Sequence, residues 1–181
     1  MKTSNKNSKR RRWLIILSVA LLVISMHNIA KGQEKPPKPI QVFVSPTQGL
    51  YFGAFCHGPS GGSITISPFG GRSSTGSVIE LSLGYLFSPA IFNVEGIKGT
   101  VISITDNSGI PFLLTGSNGG SLTLHLGPPQ TNTTCGTPFV LNAESPAQME
   151  IRIGGTLTVG NAAANPPGNY SGTFTVIFNQ E

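Results

Sequence analysis

The chain of 181 residues carries 23 glycines and 14 prolines, about a fifth of its length. Only 10% of its residues are charged, against about 25% in an ordinary soluble domain, which excludes a coiled coil, a charged helical bundle and a charged disordered tail and leaves room for one domain or two small ones. Seven of the twelve basic residues fall in the first 32 positions, so five basic residues face all seven acidic ones beyond it, a balance of −2 that excludes a basic nucleic-acid footprint despite the overall +5.

Chain order begins with a polar, basic stretch over residues 1–12 and a 14-residue apolar run, Trp13–Met26, broken only by Ser18 and Ser25. His27 and Asn28 end that run short of the roughly 20 apolar residues a bilayer-spanning helix needs. Ala30-Lys31-Gly32 then offers small residues at both positions a signal peptidase reads. The pattern predicts a signal peptide over residues 1–32, cut after Gly32, with an uncleaved N-terminal anchor as the other reading. Either way the rest is exported to the periplasm, the cell surface or the medium, and touches a membrane only through an uncut leader. Export also predicts one disulfide between Cys56 and Cys135, the only two cysteines. Closing a loop of that length would stabilise by about 4 kcal/mol in the chain-entropy model. Two buried thiols are the alternative.

Residues 33–39 (Gln-Glu-Lys-Pro-Pro-Lys-Pro) read as a stiff lead-in, and residues 33–47 together as lead-in plus first strand. From there the apolar period is two: Ile40, Val42 and Val44; Ile64 and Ile66; Ile102 and Ile104; Leu122, Leu124 and Leu126; Ile151 and Ile153; Leu157 and Val159. The last strand is the clearest, with Tyr170, Gly172, Phe174, Val176 and Phe178 on one face and Ser171, Thr173 and Thr175 on the other. Gly58-Pro59-Ser60-Gly61-Gly62 and Gly116–Gly120 read as turns, lacking the Lys-Ser/Thr of a phosphate loop. No stretch beyond the leader repeats at 3.6 for long enough to make a stable helix. The fold expected over residues 48–181 is all-β, an Ig-like antiparallel β-sandwich with wet Thr/Ser faces.

Chemistry is sparse. Beyond the leader the histidines are His57, in a Gly-rich stretch beside Cys56, and His125, on the Ser121/Thr123 face of its strand, and both read as structural or solvated. Cys56-His57 has neither a CxxC nor an HxxxH beside it, so no metal is expected. Asp106, the lone aspartate, has no GxSxG serine to complete a triad with either histidine. Glu80, Glu95, Glu144 and Glu150 are scattered singly, and Glu150 with Arg152 reads as a same-face pair on one strand. No catalytic residue and no cofactor is assigned, and an enzyme is not expected. Asn132-Thr133-Thr134 and Asn169-Tyr170-Ser171 match the glycosylation sequon.

Several runs carry a family pattern: Leu50-Tyr51-Phe52-Gly53, Gly61-Gly62-Ser63-Ile64-Thr65-Ile66-Ser67-Pro68, Gly71-Arg72 and Gly76-Ser77-Val78. It continues through Ser88-Pro89-Ala90-Ile91-Phe92-Asn93-Val94-Glu95-Gly96, Gly154-Gly155-Thr156-Leu157-Thr158-Val159 and Pro167–Val176. With these the chain resembles the secreted bacterial domain of unknown function 4402 over most of residues 48–180, most loosely over 106–148, and Cys56 and Cys135 are not part of the pattern. The resemblance implies export and an all-β build like that of fimbrial subunits. It brings no activity and no catalytic residues.

Two functions are expected. The first is a non-catalytic structural or adhesion protein, a pilin-like surface subunit whose partner is another copy or another surface protein. Ile40–Val44, behind its stiff arm, would supply a strand to that neighbour by β-augmentation; the plainer reading makes residues 40–44 the first strand of their own sandwich. The alternative is a carbohydrate- or ligand-binding module, for which Tyr51, Phe52, Phe55, Phe69, Tyr85 and Phe87 are the candidate contacts unless they are core.

Overall fold

The computed structural model describes residues 12–14, 38–44, 49–105, 109–142 and 147–181. Residues 1–37 and 38–181 form separate units. Of the first, residues 12–14 are described, as helix; the rest of the predicted leader, like Asp106 and Glu144, lies outside the described residues. No helix among the described residues is long and apolar enough to cross a membrane.

The second unit is all strand and turn. In chain order its strands are β1 (Gln41–Val44), β2 (Tyr51–Phe52), β3 (Ala54–Ile66), β4 (Arg72–Leu81), β5 (Phe87–Ser88), β6 (Ala90–Gly96) and β7 (Val101–Thr105). There follow β8 (Phe112–Gly116), β9 (Ser121–Leu126), β10 (Phe139–Val140), β11 (Ala147–Ile153), β12 (Gly155–Val159), β13 (Tyr170–Ser171) and β14 (Ile177–Gln180). A six-stranded sheet ordered β13-β8-β9-β12-β3-β4 makes one layer of an antiparallel sandwich, and three smaller sheets, β1-β6-β11, β10-β7-β14 and β2-β5, face it.

Burial follows the period of two that the sequence carries. Ile64 and Ile66 of β3, Leu122, Leu124 and Leu126 of β9, and Leu157 and Val159 of β12 point inward from the large sheet. Phe92 and Val94 of β6, Ile102 and Ile104 of β7, and Ile151 and Ile153 of β11 meet them from the other side in a single core. On the outer face hydroxyls pair across strands, Ser63 with Thr75 at 2.7 Å and Thr65 with Thr156 at 2.9 Å, so the solvated side is Ser/Thr rather than charge. One residue, Gly154, carries the chain from β11 in one layer to β12 in the other. A Cβ there would lie 2.2 Å from the Ile66 carbonyl oxygen, so only glycine fits the corner.

Three expectations change. The last strand is two: β13 pairs with β8 of the large sheet and β14 with β7 of the facing layer. The chain crosses between layers over residues 172–176 while its alternation continues, with Phe174, Val176 and Phe178 half-buried and Thr173, Thr175 and Ile177 exposed. The stretch 58–62 is no reversal but an irregularity inside β3. Residues 41–44 do form a strand of their own sandwich, pairing with β6, yet all four are exposed. Val42 and Val44 sit opposite Val94 and Phe92 and so share their inward face. They lie on the edge strand of their sheet, with a ladder partner on one side only.

Candidate functional site

The irregularity in β3 shapes a cleft in the second unit. Register runs from His57↔Val78 to Gly62↔Gly76, so five steps on β3 match two on β4. That odd excess reverses the phase of β3: Ile64 and Ile66 face inward after it, Phe55 and His57 before it. The same point folds the ribbon over. Arg72 and Glu80 are eight residues apart on β4, about 26 Å if extended, yet Arg72 Nε lies 3.1 Å from Glu80 Oε2. Gly61 and Gly76, with φ of 65° and 67°, take backbone conformations that a strand residue with a side chain avoids. Ser77 Oγ donates to the Gly61 carbonyl at 2.8 Å and pins the bend.

Arg72 clasps the folded ribbon. Its side chain is 7% exposed and, besides Glu80, donates to the carbonyls of Phe52, Ala54 and Leu81. Its guanidinium also stacks 4.5 Å from the centre of the Phe87 ring. One side chain thereby ties β2, the first half of β3, the end of β4 and β5. A second tie is His57, whose Nε2 donates to the Asn165 carbonyl at 3.0 Å. The other ring nitrogen, Nδ1, lies 3.3 Å from the Gly58 carbonyl oxygen. Asn165 is itself buried and holds its loop through bonds from the Gly160 N–H and to the Ser121 and Ala164 carbonyls.

Between the folded ribbon and the large sheet lies a cleft of about 640 Å³. Its floor is Leu114, Leu122, Leu157 and Val159; Phe55, His57 and Leu81 form one wall, and the loop from Asn165 to Tyr170 the other. Leu83, Tyr85 and Leu86, 60–67% exposed, stand at the mouth with Tyr51. All three tyrosines of the chain, Tyr51, Tyr85 and Tyr170, line this one cleft, and among the described residues no Asp, Glu, Lys or Arg does.

The sequence candidates divide accordingly. Tyr51, Phe52, Phe55 and Tyr85 line the cleft. Phe87 is the platform for Arg72, and Phe69 lies under the Arg152 guanidinium at 5.5 Å, away from the cleft. His57 enters the cleft wall, whereas His125 is exposed on the outer face of β9 beside Thr156 of β12, so the two histidines serve no common site. Glu80 is the partner of Arg72, Glu95 accepts from Gln148, and Glu150 pairs with Arg152 as its spacing suggested. Among the described residues no group of three or more His, Cys, Asp or Glu could hold a metal.

The expected disulfide is not shown. Cys56 and Cys135 are both free and exposed. Cys56 is held in β3 opposite Ile79, on the outer face of the ribbon, while Cys135 sits in the segment after β9, bridged to Gln130, whose Nε2 lies 3.1 Å from its sulfur. Separate backbone ladders fix the two, and the sequence offers no means of measuring the gap between them. The floor leucines were also missed as site residues, because β-period leucines under a cleft look like any others.

A second exposed feature is the edge formed by β1. The facing layer is interrupted beside it: β1 and β14 end separate sheets with no ladder between them. Their link is the Gln180 carboxamide, which accepts from the Ile40 N–H at 3.0 Å and donates to the Lys38 carbonyl at 3.3 Å.

The model of one family, domain of unknown function DUF4402, matches residues 42–179. The chain belongs to that family. Neither a curated protein nor a solved structure matches the chain. The matched span runs from β1 into β14, so the interrupted layer and the clasped ribbon both fall within this DUF4402 domain.

Proposed function

We propose that this DUF4402 chain is an exported, non-catalytic structural subunit of the cell surface whose copies associate by strand addition through β1. The observation that carries the reading is the uncovered inward face of β1. Val42 and Val44 are 37% and 59% exposed on the face that buries Val94 and Phe92 in the neighbouring strand. An edge strand presents unpaired N–H and C=O groups to any chain that can add to it, and this edge adds apolar side chains to them. Only four ladder residues hold β1 to β6, so exchange of the segment between copies costs each copy little and returns the same contacts. The leader-like pattern of residues 1–32 supports export, and the Pro-rich stretch before β1 supports a stiff arm that reaches a neighbour.

The test is native mass by analytical ultracentrifugation over a range of concentrations. The intact chain is expected to form species larger than a monomer, and Val42→Asp with Val44→Asp, or deletion of residues 33–45, is expected to leave monomers. An intact chain that stays monomeric at high concentration, or oligomers that survive both changes, would overturn the proposal.

A further inference from the structure

The clasped cleft is a second surface, separate from the β1 edge, and its chemistry selects a ligand. Its volume of about 640 Å³ falls in the range of roughly 300–1,000 Å³ where small-molecule sites lie. Phe55, Leu81 and Leu114 line it and are only half-buried, so they present apolar surface to the cleft, whereas Leu122, Leu157 and Val159 beneath are already covered core. An apolar body laid against these half-buried side chains removes their remaining surface from water, which is favourable.

The mouth differs from the floor. Tyr51 and Tyr85 are 40% and 67% exposed and bring phenol hydroxyls, while Leu83 and Leu86 at 65% and 60% are large apolar side chains left in solvent on the same short loop. A neutral, hydroxyl-bearing group satisfies such a rim, because phenols donate and accept without charge. An ionised group meets no Asp, Glu, Lys or Arg among the described lining residues, and the ring nitrogens of His57 are turned to the Gly58 and Asn165 carbonyls, so desolvating it unpaired costs several kcal/mol.

We propose that this cleft binds one molecule of an uncharged single-chain amphiphile, its apolar body against Phe55, Leu81 and Leu114 and its neutral polar head between Tyr51 and Tyr85. The test is calorimetric titration of the full chain with n-octyl glucoside below its micelle concentration, beside glucose and n-octyl sulfate. Tyr85→Ser with Leu86→Asp alters only exposed mouth residues, so the fold is retained, which circular dichroism verifies. Single-site binding of octyl glucoside is expected, at least tenfold weaker in that variant and at least tenfold weaker for octyl sulfate, with no binding of glucose. Binding unchanged by the variant would place the amphiphile elsewhere, such as on the apolar leader run, and would overturn the proposal. Glucose binding as well as its octyl derivative, octyl sulfate binding equally well, or no binding at all would each overturn it too.

Discussion

Gly61→Ala isolates the bend in β3. Two costs are separable there. With φ at 65°, a side chain at this position meets the left-handed penalty of about 1–2 kcal/mol. An added Cβ would also lie 2.3 Å from the Val159 carbonyl oxygen and 2.8 Å from that of Gly160. Both are backbone atoms, so β12 must retreat from β3 where Val159 pairs with Gly62. Losing a ladder hydrogen bond in that interior adds about 1–3 kcal/mol, for a total of about 2–5 kcal/mol against a typical stability of about 5–15 kcal/mol. Gly99→Ala provides the reference. Gly99 also has positive φ, 89°, but nothing lies within 4 Å of its Cβ position, so it carries the backbone penalty alone. Urea unfolding followed by far-ultraviolet circular dichroism should give Gly61→Ala a midpoint well below that of Gly99→Ala, with similar slopes. Equal losses in the two variants would refute the argument that the fold-over rests on a backbone approach only glycine permits.

Arg72→Met should cost about 3 kcal/mol by the same unfolding measurement, the low end for breaking a buried pair because Glu80 keeps access to water at 31% exposure; no loss would mean the clasp is redundant. Asn165→Ala removes the acceptor for the Gly160 N–H and a buried donor, and should cost about 2 kcal/mol while speeding hydrogen exchange at the Gly160 amide. Under non-reducing conditions the folded chain should react with two equivalents of a thiol reagent, because Cys56 and Cys135 are both free and exposed; no reaction before unfolding would contradict that.

Where the sequence was legible, it was so through side-chain period. Leu122, Leu124 and Leu126 declare their strand and its buried face together, because successive side chains must alternate across a pleated strand. Period does not report which strand is the hydrogen-bond partner. For that reason Tyr170–Phe178 reads as one strand although its partner changes from β8 to β7 part-way. Nor does it report cover, so Val42 and Val44 look like core and are not. Gly58-Pro59-Ser60-Gly61-Gly62 was ambiguous for a different reason. A chain reversal and a fold-over within a strand both call for glycine at positive φ, and only the register with Gly76 tells them apart. Of the cleft, the aromatic members Tyr51, Phe52, Phe55 and Tyr85 could be named from the sequence. Their convergence could not, since the Arg72–Glu80 contact that gathers the ribbon joins residues eight apart on a strand, where no local rule predicts a meeting.

Packed sheets ordinarily close the space between them with interdigitating apolar side chains. Around the half-buried Phe55, Leu81 and Leu114 the covering layer is instead a ribbon held at its margins by polar ties: Arg72 at one side, His57 with Asn165 at the other, and Ser77 at the bend. Such ties fix the position of the ribbon without filling the space beneath it. Hydrogen bonds and an ion pair span a gap that packing would have collapsed, and each lost side chain there would relax the ribbon toward the floor. The β1 edge involves none of these groups; its contacts run through β6 and Gln180. The proposed assembly at that edge and the proposed binding in the cleft therefore draw on different residues, and a charge placed on Val42 is expected to leave cleft binding unchanged in the same titration.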